Sequence, residues 1–319
     1  MAIQRGNAWV PLVPALQRSG YGGAQIDTLK AVARDLVALL GSDRARGQAE
    51  QLADDMGDED LSATFDPAAM LPFAPRSFRD FSLWETHMLG AAKGIARLEF
   101  SPPVLGAIEV YERVTGKPFP RLRPGRIWYE NPIYYIGNHL TFHPDGATIP
   151  WPAHSQRLDY ELELGLVIAS AARDAGPDEG LAAVGGFVVV NDVSARDVQH
   201  REMTEGRLGP VKSKGFASAM GSVVVTPDEI LPRIDDLTAI VRVNGEEWSR
   251  GTTAGMQHSL GEMVAYASMG EPLSPGELLA TGTVPGCCGL EIDRWVRPGD
   301  TVELELERVG TLTNVYEGG

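Results

Sequence analysis

The sequence predicts an α+β protein in which a β-rich C-terminal domain follows a small N-terminal α/β segment. Beyond about residue 125, alternating or β-branched runs dominate, and turns rich in proline and glycine separate them. Helical spacing of apolar residues is concentrated instead near residues 25–54 and 82–97. The chain has 319 residues, more than one ordinary domain of about 100–200 residues needs. We therefore divide it into an N-terminal segment, 1–75, and a larger domain, 76–319.

In the N-terminal segment, residues 6–13 are predicted to form a short strand. From Gln25 to about Asp54 the apolar side chains repeat at helical spacing, which predicts a long helix. The acidic run over residues 54–60 fits a solvated helix end and turn. The apolar helical face consists of Ile26, Leu29, Val32, Leu36, Leu39 and Leu40. The prolines that break the chain and mark the boundary are Pro67, Pro72 and Pro75.

A second helix is predicted over about residues 82–97. Ser82 and Glu85 have the spacing of a capping box, in which the serine begins the helix and the glutamate bonds back to it. This helix carries His87 in its second turn, and we treat it as a lid helix of the larger domain.

The β-rich core is predicted over about residues 125–319. Asn244-Gly245 joins two strand-like runs, which is a strong signal for a two-residue hairpin turn. A helical pattern returns only near residues 260–269. Strands are predicted over residues 158–169, 184–192, 221–226, 237–243 and 301–307.

The charge of the chain limits its partners. The formal net charge is −15, and so acidic a surface repels nucleic acid and anionic lipid. No apolar run approaches the ~20 residues of a spanning helix, and the N-terminus does not resemble a secretory signal. Cys287 and Cys288 are adjacent and are best explained as small residues in a turn flanked by Gly286 and Gly289. We expect a cytoplasmic protein whose partner is a small anionic molecule, held by a local positive region or a bound cation.

One predicted strand places three carboxylates on the same face. In the run 158–164, Asp159, Glu161 and Glu163 alternate with apolar residues, and like charges at this spacing repel unless solvent or a cation separates them. The run 302–307 shows the same alternation, so the pattern alone is equally typical of a wet strand face. The first strand differs because it continues into an apolar stretch, where unpaired carboxylates are costly.

Three further residues are candidates for a site. Asp192 directly follows an apolar strand, where an aspartate serves either a site or a turn cap. Lys214 precedes a glycine, a phenylalanine and an apolar run, which favours an inward position over a solvated one. His87 on its helix is either a catalyst or an ordinary surface residue. From the residues alone, the pattern indicates no more than a metal site with oxygen ligands.

Taken together, these motifs resemble those of the fumarylacetoacetate hydrolase family. The resemblance runs from about residue 72 to the C-terminus and rests on the order and spacing of five elements. They are Asp-Phe-Ser-Leu-Trp-Glu-Thr-His at 80–87, Glu-Leu-Glu at 161–163, Asn-Asp-Val-Ser-Ala-Arg-Asp at 191–197, Leu-Gly-Pro at 208–210 with Lys-Gly-Phe at 214–216, and Thr-Gly-Thr at 281–283 ahead of Glu291.

The resemblance implies a catalytic domain built as a mixed β-sandwich roll, usually dimeric, with a divalent cation. Such oxygen ligands favour Mg²⁺, with Ca²⁺ and Mn²⁺ as alternatives. The implied ligands are Asp80, Glu161, Glu163 and Asp192. The implied catalytic residues are His87 as general base, Glu291 as the carboxylate that orients it, and Lys214, Arg196 and Gln199 around the developing oxyanion. The implied substrate contacts are Tyr135 and Thr283.

The implied activity is hydrolysis of a carbon–carbon bond in a small 1,3-dicarbonyl compound such as an acylpyruvate. Decarboxylation, hydration or tautomerisation of a 2-oxo acid is the main alternative, because these reactions also pass through an enolate on a metal. A non-catalytic binding protein is a weaker alternative. The N-terminal 70 or so residues show no match to the N-terminal barrel of longer members, and Met203 stands near an expected aromatic position. The resemblance therefore does not imply fumarylacetoacetate itself.

Overall fold

The computed structural model describes residues 1–6, 8–20, 26–57, 70–206 and 209–318, and its two largest β-sheets have seven and five strands. The strands are β1 (Ala2–Arg5), β2 (Ala8–Pro11), β3 (Phe78–Phe81), β4 (Tyr134–Gly137), β5 (Phe142–Pro144), β6 (Thr148–Ile149), β7 (Leu158–Asp159), β8 (Glu161–Ile168), β9 (Val184–Asn191), β10 (Ser194–Ala195), β11 (Ser218–Met220), β12 (Thr238–Val243), β13 (Glu246–Thr252), β14 (Leu278–Cys288), β15 (Thr301–Leu306) and β16 (Gly310–Tyr316).

Twelve α-helices lie in the described ranges, most of them short. They are α1 (Leu12–Arg18), α2 (Asp27–Val32), α3 (Leu36–Leu40), α4 (Asp43–Asp55), α5 (Glu85–Glu99), α6 (Pro102–Thr115), α7 (Arg126–Glu130), α8 (Pro177–Ala182), α9 (Arg196–Arg201), α10 (Pro227–Ile230), α11 (Leu260–Ser268) and α12 (Gly289–Ile292). None of the helices in these ranges is long and apolar enough to cross a membrane.

The seven-stranded sheet has the order β4-β3-β14-β8-β9-β11-β5, and the five-stranded sheet the order β13-β12-β15-β16-β6. Strands β8 and β9 lie near the middle of the larger sheet, and every residue of both is buried. The apolar sequence of β9, and of β8 after Glu163, is typical of strands covered on both faces. The main core lies between the sheets, where Leu162 and Leu164 of β8 share an apolar cluster with Val241 and Leu304 of the smaller sheet. The predicted β-rich α+β fold is confirmed.

The strand over residues 302–307 shows what the alternating pattern means without a site. Val302, Leu304 and Leu306 are buried, whereas Glu303 and Glu305 lie on the other face and pair with Arg242. Their side chains remain 38% and 36% exposed. This face of the strand is therefore in contact with solvent, which is one of the two structures that the alternating pattern is typical of.

The N-terminal segment departs from the prediction of one long helix. Three helices, α2, α3 and α4, replace it, because Asp35 and Ser42 accept hydrogen bonds from Ala38 N and Ala45 N and so begin new helices. The strand predicted over 6–13 is present as β2 (Ala8–Pro11) but ends earlier, because α1 begins at Leu12. The acidic run over residues 54–60 falls partly within residues 58–69, outside the described residues.

The helix predicted over about residues 82–97 is present as α5, but its predicted cap is wrong. Trp84 occupies the position before the helix, and the Ser82 carbonyl instead accepts a hydrogen bond from Trp128 Nε1 at 2.7 Å. Glu85 Oε1 accepts one from the Tyr129 hydroxyl at 2.6 Å. His87 is therefore the third residue of α5 and lies in its first turn. Aromatic partners brought in from α7 override the local capping pattern.

Two other predictions need correction. The strand expected over 221–226 is displaced to β11, and Val225 forms only an isolated bridge with Phe187. Helix α6 was not predicted, and its buried Ile108 packs with Ala96 of α5 and Leu122. In contrast, the hairpin at residues 244–245, the helix near 260–269 and the remaining strands are confirmed.

The hairpin turn provides a stability test. Gly245 has φ +79° and Asn244 φ +53°, and a side chain in this left-handed region costs roughly 1–2 kcal/mol. Gly245→Ala should therefore lower the free energy of unfolding by about that amount, measured by urea denaturation. Gly106→Ala is the control, because Gly106 lies within α6 with open space at its Cβ position and alanine favours helix. Equal destabilisation by both changes would contradict the turn assignment.

Candidate active site

Three buried carboxylates meet at one end of the seven-stranded sheet. Asp80 lies on β3, Glu163 on β8, and Asp192 directly after β9. Strand β14 separates β3 from β8 and pairs with both, placing Ala280 opposite Asp80 and Thr283 opposite Glu163. Each carboxylate offers an oxygen within 4.8 Å of the other two. Sheet pairing therefore brings together residues that are up to 112 positions apart in the chain.

The end of β9 is tied to β8 by its own polar residues. Asn191 Oδ1 accepts a hydrogen bond from Glu161 N at 3.1 Å, and Asp192 N donates to the Glu161 carbonyl at 3.2 Å. On the other side, the Tyr135 hydroxyl on β4 donates to Asp192 Oδ2 at 2.6 Å. These hydrogen bonds hold Asp192 in place at the end of β9, so the Asn-Asp sequence does more than form a turn.

The group fits a divalent cation by two observations. Asp80 Oδ1, Glu163 Oε2 and Asp192 Oδ1 are buried, and none of the described residues donates a hydrogen bond to them. Buried polar atoms are nearly always satisfied, so three orphaned oxygens at one point indicate a missing partner. All the donors are hard oxygens, the ligand type of Mg²⁺, Ca²⁺ and Mn²⁺.

Lys214 supplies one positive charge to a group of three carboxylates. Burial raises the pKa of Asp80 well above its usual range, and the charges of Glu163 and Asp192 raise it further. Burial, together with the charges of Asp192 and Glu161, raises the pKa of Glu163 in the same way. A bound cation would remove this repulsion between carboxylates.

Glu161 and Lys214 form the neighbouring part of the site. The Lys214 ammonium donates hydrogen bonds to Glu161 Oε2 and Asp192 Oδ2, and the lysine is only 5% exposed. Although burial alone raises it, Arg196 and Lys214 hold the pKa of Glu161 below its usual range. Glu161 therefore lies next to the group of three carboxylates and is bound to it through Lys214.

The loop that carries Lys214 is held in place by Glu202. Its carboxylate accepts hydrogen bonds from the backbone N–H groups of Val211, Lys212 and Ser213, at 2.8, 2.7 and 3.3 Å. The Ser213 carbonyl in turn accepts from Ala195 N at 2.8 Å. These bonds explain the inward position of Lys214, which the sequence favoured.

Arg196, predicted to lie around the developing oxyanion, binds carboxylates in this structure. Its Nε donates to Asp159 Oδ2 at 2.8 Å, and its two terminal nitrogens donate to Gln199 Oε1 at 2.8 Å and Glu161 Oε1 at 2.7 Å. The residue is 2% exposed. Arg196 thus compensates buried carboxylates and binds the side-chain oxygen of half-buried Gln199.

His87 and Glu291 form a dyad across α5 and α12. His87 Nδ1 lies 2.7 Å from Glu291 Oε1, and Gly286 N donates to Glu291 Oε2 at 3.1 Å. The side chains are 10% and 7% exposed. The two residues are 204 positions apart in sequence, and the structure brings them into contact.

Two glycines of α5 allow this contact. A Cβ at Gly90 would lie 2.5 Å from Glu291 Oε2, and one at Gly94 would lie 2.5 Å from the Leu290 carbonyl. Their spacing of four residues places both on the helix face that α12 approaches. The sequence interpretation missed these residues, although a pair of small residues at helical spacing after His87 was a readable signal.

Asp159 is the other residue that the sequence interpretation did not assign. It is fully buried, and besides Arg196 it accepts hydrogen bonds from Gly289 N and Leu290 N at 2.7 and 2.9 Å. Asp159 therefore holds the first turn of α12, which carries Glu291, and fixes Arg196 at the same time. Its position two residues before Glu161 on the carboxylate face was the available signal.

Comparison with known proteins now adds to this geometry. Residues 122–316, more than half of the chain, match the family model described as fumarylacetoacetate (FAA) hydrolase C-terminal. The chain belongs to the fumarylacetoacetate hydrolase family.

Relatives within this family carry names of different reactions. A 2,4-didehydro-3-deoxy-L-rhamnonate hydrolase of Sphingomonas is 36% identical over 50% of this chain and 56% of its own length. A 4-hydroxyphenylacetate degradation bifunctional isomerase/decarboxylase of Escherichia coli is 34% identical over 58% of this chain and 41% of its own length. The chain thus spans only about half the length of these relatives. The family includes hydrolases, isomerases and decarboxylases.

Solved structures of the family share the fold. A fumarylacetoacetate hydrolase from Exiguobacterium antarcticum matches with a TM-score of 0.66 and 20% identity, over 100% of this chain and 95% of that one. A fumarylpyruvate hydrolase from Pseudomonas aeruginosa, solved with Mn²⁺ and pyruvate, matches with a TM-score of 0.56 and 19% identity, over 77% and 91%. At these identities the likeness extends to the fold alone.

Seen within the fumarylacetoacetate hydrolase family, the predicted site residues fall into three groups. Around the orphaned oxygens lie Asp80, Glu163, Asp192 and Tyr135, with Thr283 buried on the adjacent strand. A cationic group beside them contains Glu161, Lys214, Arg196 and Gln199. The third group is the pair His87 and Glu291. The role of each residue in metal binding or catalysis stays a prediction.

The buried position of Asp159 leads to a stability prediction. Asp159→Asn removes one partner of a buried charge and places an amide against backbone donors, so it should cost about 3–5 kcal/mol in unfolding free energy. Glu303→Gln is the matched control, because its pair with Arg242 is partly exposed and is worth about 0–1 kcal/mol. Chemical denaturation of both variants measures the difference. A loss below that of the control would show that Asp159 is not an anchor.

Proposed function

We propose that this chain is a metal-dependent hydrolase that cleaves a carbon–carbon bond in a small 2,4-dioxo acid of the acylpyruvate type. The observation that carries this proposal is the buried His87–Glu291 dyad, with Nδ1 and Oε1 2.7 Å apart. A histidine held by a carboxylate is the arrangement that activates water. The names of the 2,4-didehydro-3-deoxy-L-rhamnonate hydrolase and the fumarylpyruvate hydrolase support the substrate class.

The cation is proposed to bind Asp80, Glu163 and Asp192, with Glu161 as the neighbouring donor. When bound, a divalent cation of this kind orients the two substrate oxygens and stabilises the negative charge of the leaving enolate. Mg²⁺ is our first choice for the all-oxygen site, and the Mn²⁺ in the fumarylpyruvate hydrolase structure makes Mn²⁺ the second.

The chain's own residues then move the protons. Glu291 accepts from His87 Nδ1, which leaves Nε2 as the basic nitrogen that takes a proton from water. The hydroxide formed in this way adds to the substrate carbonyl, and the Lys214 ammonium and the Gln199 amide are the nearby donors for the oxyanion. The carbon–carbon bond breaks, its electron pair passes into the enolate, and a proton returned to the enolate carbon completes the products.

The site also suits an acidic substrate. The whole chain carries a net charge of −15, but Lys214 and Arg196 lie within the carboxylate region and a divalent cation would add two positive charges. These positive charges are local, so they favour a small anion at the site rather than a polyanion. The expected homodimer remains a prediction that a mass measurement in solution tests.

Isomerisation or decarboxylation of a 2-oxo acid is the second candidate. The isomerase/decarboxylase relative, at 34% identity, supports it, and the same carboxylates and Lys214 serve an enolate in either reaction. The dyad distinguishes the candidates, because decarboxylation does not require an activated water.

A substrate panel tests the reaction class. Chelator-treated protein, with and without restored Mg²⁺ or Mn²⁺, is incubated with acylpyruvates of increasing chain length and with oxaloacetate. Formation of two acids that depends on the restored metal supports hydrolysis. Release of CO₂ or tautomerisation without cleavage would reject the hydrolase proposal in favour of the second candidate.

Replacing the proposed base should separate catalysis from metal binding. His87→Ala should lower kcat on the order of 10²–10⁴-fold, the usual contribution of general base catalysis. Metal affinity should change little, because His87 contacts Glu291 and is not part of the carboxylate group. Steady-state kinetics and titration calorimetry measure the two properties. Activity within a factor of ten of the unchanged protein would remove His87 from this role.

Replacing a proposed ligand should produce the opposite pattern. Asp192→Asn should weaken Mg²⁺ or Mn²⁺ binding by at least about 10–100-fold. Losing a residue that only hydrogen-bonds to a metal ligand typically has an effect of this size, and losing a ligand should have a larger one. Titration calorimetry measures the affinity, with His87→Ala as the comparison variant. Unchanged affinity would exclude Asp192 from the ligand set.

A further inference from the structure

A second group of potential metal ligands lies at the dyad itself. Cys288, at the end of β14, places its Sγ 3.5 Å from Glu291 Oε1, the oxygen that also contacts His87 Nδ1 at 2.7 Å. One ligand atom from each of the three residues lies within 4.8 Å of the others. His87 and Cys288 are buried and Glu291 is nearly so.

The donor chemistry of this group differs from that of the carboxylate group. An imidazole nitrogen, a thiolate and a carboxylate are the ligands that zinc takes in proteins, whereas Mg²⁺ and Ca²⁺ prefer oxygen alone. A neutral imidazole, a thiolate and a carboxylate carry two negative charges together, which a Zn²⁺ ion neutralises. The chain thus contains two sets of potential ligands. The carboxylate group suits hard cations such as Mg²⁺, and the group of His87, Cys288 and Glu291 suits zinc.

We propose that His87, Cys288 and Glu291 form a zinc-binding site distinct from the carboxylate group. Zinc binding there replaces the thiol proton of Cys288, which passes to solvent, and the proton between His87 and Glu291 moves from Nδ1 to Nε2, so the imidazole stays neutral. Three protein ligands leave a fourth position for water, as in open zinc sites.

The consequence for activity rests on the proposed function. A zinc ion held by His87 Nδ1 and Glu291 removes the hydrogen bond that fixes the tautomer of His87. The imidazole then no longer serves as the base, so zinc should inhibit an enzyme whose carboxylate group already holds Mg²⁺. Inhibition of this kind would not be relieved by adding more Mg²⁺.

The adjacent cysteine supplies a matched control. Cys287 is equally buried but belongs to the main core between the sheets, where its sulfur faces Gly251 of β13. It is not part of the group with His87 and Glu291. Cys288→Ala and Cys287→Ala therefore remove the same atom from neighbouring positions, one at the proposed site and one outside it.

The test measures zinc binding without any substrate. Metal-free protein is saturated with Mg²⁺ so that the oxygen ligands are occupied, and zinc is then titrated in competition with a chromophoric chelator. We expect one zinc equivalent in the unchanged protein and in Cys287→Ala, and at least about tenfold weaker binding in Cys288→Ala, since a ligand is lost. Co²⁺ in place of zinc should show a thiolate-to-metal charge-transfer absorption that Cys288→Ala abolishes.

Two results would overturn the proposal. One is equal zinc affinity in the unchanged protein and Cys288→Ala, and the other is a Co²⁺ spectrum of the unchanged protein without the thiolate absorption. The second result needs no variant, so it decides the question even if Cys288→Ala does not fold. Because neither measurement uses turnover, a failure of the hydrolase proposal leaves the zinc proposal intact, and the reverse is also true.

Discussion

The structure around the site depends on the compensation of buried negative charge. Asp80, Asp159, Glu161, Glu163 and Asp192 are each at most 4% exposed at one end of the seven-stranded sheet. Carboxylates in such a place are tolerated only when cations or donors face them. The structure supplies a lysine, an arginine and backbone N–H groups to one part of the cluster. The remaining part has orphaned oxygens and raised pKa values, which is why a divalent cation is the natural completion.

This requirement links elements that are distant in the chain. Arg196 joins two of these carboxylates to Gln199, and Asp159 joins Arg196 to the first turn of α12. Glu291 on α12 then reaches His87 on α5, because the glycine face of that helix leaves room. The dyad and the carboxylate group are therefore parts of one network. A change at its centre is expected to affect both stability and geometry.

Much of the β-rich domain could be predicted from the sequence, because its signals are local. Strand β9 and the second half of β8 are apolar runs, and Asn244-Gly245 meets the backbone requirement of its turn by itself. Prediction failed where a distant partner decides the outcome. Ser82 has an ideal capping sequence, but its carbonyl bonds to Trp128 and the helix begins two residues later than a Ser82 cap requires. The long N-terminal helix divides because Asp35 and Ser42 compete as caps within an otherwise uniform apolar pattern.

The sequence by itself determined the family resemblance, the β-rich class and a set of candidate residues. These depend only on the order of the motifs and the chemistry of the residues, which can be read without the structure. Only the tertiary structure decided which of those residues touch. In the tertiary structure His87 contacts Glu291 and Arg196 contacts carboxylates. Glu161 has hydrogen-bond partners for its side chain, unlike the three orphaned oxygens beside it. The tertiary structure also distinguished the carboxylate strand from the wet strand near the C-terminus, although both have the same alternation. The physical reason is that burial and charge compensation depend on neighbours across the sheet, which no local pattern contains.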